Sequence, residues 1–243
     1  MIEASVDGYT GPMSTAAAAF EGPDDDGSDT SGTGRERSTE RVRDAVAELL
    51  GHDELRPGQA EAAAAVLAGR DTLAVMPTGS GKSAVYQVVA ALLDGPTVVV
   101  SPLLALQKDQ VEAIAGSDVG LAAAANSTVS EGARRWMFEE LASGGLEFLF
   151  LSPEQLSKED TVDRLSAAEP SLFVVDEAHC ISEWGHDFRT DYLRLGAAAE
   201  AVGRPPILAL TATASPVVRA EIVVSIARMK IVTLLNDKAR ELQ

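Results

Sequence analysis

Met76-Pro77-Thr78-Gly79-Ser80-Gly81-Lys82-Ser83 is the stretch whose reading decides the fold. The apolar run before it, Thr72-Leu73-Ala74-Val75, reads as a buried strand. Ala84 to Leu93 after it carries the apolar stripe of a helix. Strand, glycine loop, Gly-Lys-Ser and helix together form a phosphate-binding loop. Gly79 and Gly81 lack the Cβ atoms that would hold a phosphate away from the backbone. The loop N–H groups and the helix N-terminus then face an anion with matching partial charge. In such a loop Lys82 reaches the β- and γ-phosphates and the Ser83 hydroxyl ligates Mg2+. The strict pattern has glycine at position 76, where this chain has Met. The competing reading is a glycine-rich turn with a chance Lys-Ser pair.

Working outward, the flanks repeat the same grammar. Apolar strands are expected at Thr97–Val100, Val119–Ala124, Phe148–Leu151, Ser171–Val175 and Ile207–Leu210. Helices are expected at Gln59–Leu67, Leu103–Ile114 and Ser130–Ala142. Continuously apolar strands alternating with helices predict an α/β domain, its mainly parallel sheet covered by helices on both faces. The last segment, from about 226 to 240, reads as mildly helical and carries no motif. Upstream, Thr39–Leu50 has helical spacing. Residues 1–38 are an acidic, Gly/Ser/Asp-rich tail expected to be disordered. The predicted organisation is thus tail 1–38, one domain over 39–225, and a divergent tail over 226–243.

Bulk properties bound the function. The chain has 243 residues, 46% of them hydrophobic, enough for a real core. No apolar run is long enough to span a bilayer, and the N-terminus does not look like a secretory leader. A single cysteine leaves neither an intramolecular disulfide nor a Cys-rich zinc site. A cytoplasmic protein away from membranes is the expectation. Net charge is −17, which by itself argues against tight non-specific nucleic-acid binding. Residues 1–40 carry nine acidic side chains against Arg35 and Arg37, so a large share of that charge sits in the tail.

A second candidate site follows the strand at 171–175. Asp176-Glu177-Ala178-His179 stands at a strand tip, where open α/β sheets bind ligands. Nucleotide hydrolysis needs a carboxylate to hold Mg2+ and a group to orient the attacking water. Asp176 suits the first role and Glu177 the second. His179 would link this site to neighbouring segments. Lys82, Asp176 and Glu177 are therefore the candidate catalytic residues, and Ser83 with Asp176 the candidate metal ligands. Trp136 is expected in the core, and Cys180 as a small buried side chain.

With these motifs assembled, residues 41 to 225 resemble the RecQ-type DNA helicases of superfamily 2. Leu55-Arg56-Pro57-Gly58-Gln59 is similar to that family's adenine-reading segment. Met76–Ser83 is similar to its form of the phosphate loop, which accepts Met first. The resemblance implies a RecA-like P-loop NTPase domain. It implies an ATP site built from Arg56, Gln59, Pro77, Thr78, Gly79, Ser80, Gly81, Lys82, Ser83 and His179. Val99–Gln110 resembles the strand-helix segment that meets single-stranded DNA, with Ser101, Gln107 and Lys108 as contacts. Asn126-Ser127 and Phe150–Leu156 resemble further landmarks. Ala178–Arg189 resembles the aromatic-rich loop of RecQ proteins, although Glu183 stands where the family more often has Gln. There Trp184 and Phe188 would stack on bases, Arg189 would meet the backbone, and His186 would couple the loop to the nucleotide. Thr211 and Thr213, in Ala209–Ala214, would couple hydrolysis to DNA movement.

The implied function is ATP-dependent 3′-to-5′ DNA unwinding with Mg2+, in recombination and repair. The resemblance also implies a second RecA-like lobe, on a separate or downstream chain, to complete the motor. The 243-residue chain is expected to bind Mg-ATP without unwinding. Two alternatives stay open: a nucleotide- or DNA-binding module without unwinding, and an RNA-directed DEAH helicase.

Overall fold

The computed structural model describes residues 42, 56, 58–117, 119–182, 190–226 and 232–235. Residues 1–41, 43–55, 57, 118, 183–189, 227–231 and 236–243 lie outside the described residues, and with them the acidic tail, nearly all of the helix expected over 39–50, and Glu183–Arg189. Among the described residues, the elements from Gln59 onward follow in order: α1 Gln59–Leu67, β1 Thr72–Val75, α2 Lys82–Leu92, β2 Thr97–Val100, α3 Leu104–Ala115, β3 Ala122–Ala125 and α4 Glu131–Ser143. After these come β4 Phe148–Leu151, α5 Glu159–Ala167, β5 Leu172–Val175, α6 Leu195–Ala201, β6 Ile207–Thr211, α7 Pro216–Ile226 and β7 Val232–Leu235. Short 3-10 turns at Pro153–Ser157, Ala178–Ile181 and Thr190–Arg194 fill the connections.

The strands form one sheet in the order β3-β4-β2-β5-β6-β1-β7, and every recorded pair is parallel. Successive side chains of a strand leave on opposite faces, and both faces are buried. Leu73, Val98, Leu149, Phe173 and Ala209 meet Phe138 of α4, Leu165 of α5, Leu195 of α6 and Ile222 of α7. Ala74, Val99, Phe150, Val174 and Leu208 meet the alanines of α1, Val85 and Val89 of α2, and Ile114 of α3. This double cover is why the strands read as unbroken apolar runs. Tyr86 of α2 packs edge-on against Phe148 and Phe150, at centroid separations of 6.2 and 6.4 Å.

Two expectations are corrected. The segment read as mildly helical contains β7, paired in parallel register with the outer edge of β1 (Thr72↔Val232 to Val75↔Leu235). The sheet therefore continues past residue 225. Trp136 is not a core residue: it is 53% exposed on the outer side of α4.

Candidate functional site at the C-terminal edge of the sheet

The strand order sets the site. β6 lies between β1, which feeds the glycine loop, and β5, which ends at Asp176. Two segments far apart in sequence thus emerge side by side at the C-terminal edge, with Thr211 between them. The Met76 N–H donates to the Thr211 carbonyl (2.9 Å), tying the root of the loop to the tip of β6.

The loop adopts backbone that side chains resist. Gly79 and Gly81 have φ of 74° and 77°, the left-handed region that favours glycine. A Cβ on Gly81 would stand 2.8 Å from Gln59 Nε2. Lys82 and Ser83 open α2, whose N-terminus has no side-chain cap. Its first N–H groups, with the positive end of the helix dipole, therefore face outward. The Ser80 hydroxyl is buried with no hydrogen-bond partner. An uncapped N-terminus beside an orphaned hydroxyl fits the phosphate group that the loop's sequence implies.

The carboxylates sit across β6. Asp176 Oδ1 accepts from the Glu177 N–H (2.9 Å) and Oδ2 from the Ser101 hydroxyl (3.4 Å). The Tyr192 hydroxyl, fully buried, donates to the Asp176 carbonyl (3.0 Å). Burial, then the charge of Glu177, pushes the Asp176 carboxyl up to about 6, while Lys82 pulls it back. Glu177 is held below its ordinary range, chiefly by hydrogen bonding to His179, with Lys82 adding to the effect. Lys82 is thus close enough to act on both acids. Glu177 itself has φ 48° and ψ 46°, a left-handed conformation costing a non-glycine residue ~1–2 kcal/mol. Such strain collects at functional positions.

His179 closes the circuit. Its Nδ1 lies 3.2 Å from Glu177 Oε2 and 3.2 Å from Thr211 Oγ1, and Thr211 in turn donates to the Thr213 carbonyl (3.0 Å). The Cys180 sulfur beside Nε2 (3.8 Å), then the Glu177 carboxylate, hold the imidazole proton up to about 10. Cys180 is buried, as its residue type predicts.

Several predicted contacts stand elsewhere than expected. Gln59 is buried, and its amide donates to the Ser80 and Gly81 carbonyls (2.9 and 2.7 Å) while its Oε1 accepts from the Arg56 N–H (2.7 Å). It braces the loop from below rather than offering a free amide to a base. The Arg56 guanidinium, on an exposed residue, donates to the Gly79 carbonyl. Gln107 and Ser101 are buried at 0% and 2% exposure, so neither has surface to offer DNA. Lys108 does: its side chain is 76% exposed, paired only loosely with Glu112 at 3.7 Å. Pro77 is partly buried, Thr78 and Thr213 are exposed, and Thr211 is buried. Trp184, His186, Phe188 and Arg189 lie outside the described residues. Sequence reasoning passed over Tyr192, whose only signal was a tyrosine in a polar stretch.

Among the described residues no three acidic, His or Cys side chains cluster as a metal cage, and no helix is long and apolar enough to cross a membrane. Magnesium is ordinarily held by one or two carboxylates with water and substrate phosphate, so the Asp176 carboxylate suits it without a larger cluster.

Comparison with known proteins bears on the family and the fold. The family model for the DEAD/DEAH box helicases matches residues 56–220. The probable ATP-dependent DNA helicase RecS of Bacillus subtilis is 43% identical over 72% of this chain, which covers 35% of that protein. The ATP-dependent DNA helicase RecQ of Pasteurella multocida is 39% identical over 74% of this chain and 28% of its own length. The chain thus spans about a third of the length of these two relatives. Among solved structures, the DUF1998 helicase MrfA bound to DNA superposes with a TM-score of 0.63 over 82% of this chain and 29% of that one, at 18% identity. That likeness speaks to the fold alone.

Proposed function

Because the chain belongs to the DEAD/DEAH box helicase family, we propose that it is the first motor lobe of a RecQ-type, ATP-dependent 3′-to-5′ DNA helicase acting in recombination and repair. The observation that carries this reading is the convergence of the glycine loop and the Asp176-Glu177 tip on either side of Thr211, with Met76 hydrogen-bonded to the Thr211 backbone and His179 joining Glu177 to the Thr211 hydroxyl. Lys82 and the N–H groups of the loop and of α2 would hold the β- and γ-phosphates. Ser83 and Asp176 would hold Mg2+, which when bound neutralises charge building on the transferred phosphoryl group. Glu177, kept ionised by His179, orients the attacking water and accepts its proton. His179 and Thr211 report the state of that carboxylate to Thr213 and the surface beyond it.

DNA is the proposed polymer, supported by the two relatives named as DNA helicases and by the exposure of Lys108 and Thr213. The aromatic residues of 184–188 belong to the proposal as base-stacking groups. Completion of the motor by a second RecA-like lobe, and a cytoplasmic setting consistent with one unpaired buried cysteine, belong to it as well.

ATP hydrolysis by the purified chain, measured alone, with single-stranded DNA and with single-stranded RNA, tests the reading. Slow hydrolysis raised by DNA above RNA is the expected result. Equal or greater stimulation by RNA would move the chain to the RNA-directed DEAH helicases. Nucleotide binding without any hydrolysis would mark a binding module.

A further inference from the structure

A buried polar chain runs from the candidate metal carboxylate across the sheet edge to the turn after β3. Ser101 follows β2, and its hydroxyl donates to Asp176 Oδ2 at 3.4 Å. The carbonyl of the same residue accepts from Gln107 Nε2 at 2.8 Å. Gln107 Oε1 in turn accepts from Asn126 Nδ2 at 3.4 Å. Asn126 Oδ1 then accepts twice from Thr128, from the N–H at 3.0 Å and from the hydroxyl at 2.7 Å. Its carbonyl takes the Arg134 guanidinium at 3.4 Å. Asn126 follows β3, three strand positions from β5, so the chain spans roughly 14 Å at the usual inter-strand spacing.

We propose that Asn126 is a positioning residue for the metal side of the nucleotide site, acting through Gln107 and Ser101 on Asp176. The physical reason lies in burial. Gln107 is fully buried, and its amide must find partners inside the protein or cost about 1–3 kcal/mol per unmet group. Asn126 supplies the donor that fixes which way that amide points. With Oε1 engaged there, Nε2 faces the Ser101 carbonyl, and the hydroxyl of Ser101 is held toward Asp176. If the amide turned over, Oε1 would face the Ser101 carbonyl, two acceptors in contact, and residue 101 would move. Asn126 is itself buried, at 8% exposure, while Ser127 and Thr128 beside it are exposed. The far end of the chain therefore reaches the surface through a turn that Asn126 organises. Phosphate contacts at the glycine loop lie outside this route.

The inference rests on the Mg-ATP reading, and its test separates the two. The dissociation constant of a fluorescent ATP analogue is measured on the full chain with Mg2+ and with chelator. Two variants are compared with wild type. Asn126→Asp keeps the acceptor for Thr128 and loses the donor to Gln107. Gln107→Glu keeps the volume and loses the donor to Ser101. Each variant should leave the metal-free affinity unchanged and cut the gain conferred by Mg2+ about 10-fold, the size seen when groups supporting a metal ligand are removed. A gain equal to wild type in the folded variants, or a parallel loss of metal-free affinity, would overturn the positioning role. Wild type that binds no nucleotide at all would instead overturn the proposed function. If one variant fails to fold, the other decides.

Discussion

Asp176 shows what a single side chain gives up for the site. Its carboxyl titrates at about 6 in the folded chain, against an ordinary value of 3.8, because it is buried beside Glu177. A raised acid contributes stability that is present below 3.8 and lost as pH rises through about 6. At neutral pH the ionised form is thus a liability of the ligand-free protein. Asp176→Asn should melt several degrees higher than wild type at pH 7.5 in chelator, and the two should converge at pH 4. The same variant should lose the Mg2+-dependent part of nucleotide binding. Thermal unfolding across that pH range checks the first statement, and a variant that melts lower at pH 7.5 would refute it. The pairing of Asp176 with Glu177 was legible from their position after an apolar strand. The depth of Gln59, Ser101 and Gln107 was not. A glutamine on a helix looks the same in sequence whether its amide faces solvent or a neighbouring strand tip, and only the packed sheet decides.

Among the elements, the glycine loop is the most constrained. Gly81→Ala would force φ 77° on an L-residue and bring a methyl to 2.8 Å from Gln59 Nε2. Destabilisation of about 1–2 kcal/mol is expected, with weaker nucleotide binding as the brace from Gln59 is displaced. Gly116→Ala, after α3 at φ −88° with neighbours no nearer than 3.6 Å, should be close to neutral. Chemical denaturation of both variants checks the contrast. Long apolar runs made β1, β2, β4, β5 and β6 readable directly. β3 was readable only approximately, since four alanines carry little strand preference. Its bounds follow from register with β4 (Ala122↔Phe148 to Ala125↔Leu151). β7 escaped because its short run follows a helical pattern, and what makes it a strand is the open edge of β1.

For the molecule as a whole, the two edges of the sheet have separate duties. At the N-terminal edge Asp71 Oδ1 accepts from the Ile207 N–H (3.0 Å) and Oδ2 meets Arg204 Nη2 at 2.5 Å. Arg204 Nε also pairs with Glu200 at 3.0 Å. This clamp joins β1 to β6 far from the chemistry. Asp71→Ala leaves a strand N–H without its acceptor and should destabilise by about 1–3 kcal/mol. Nucleotide affinity in the folded protein should stay unchanged, and a loss of affinity would show that the edges are not independent. At the C-terminal edge everything depends on Lys82 meeting a triphosphate opposite Asp176 and Glu177. Calorimetric titration of Mg-ATP into wild type and Lys82→Ala asks this most directly. The account predicts that the alanine variant, folded as wild type, loses at least about 10-fold in affinity, or ~1.4 kcal/mol. Equal affinity in the two proteins would contradict it.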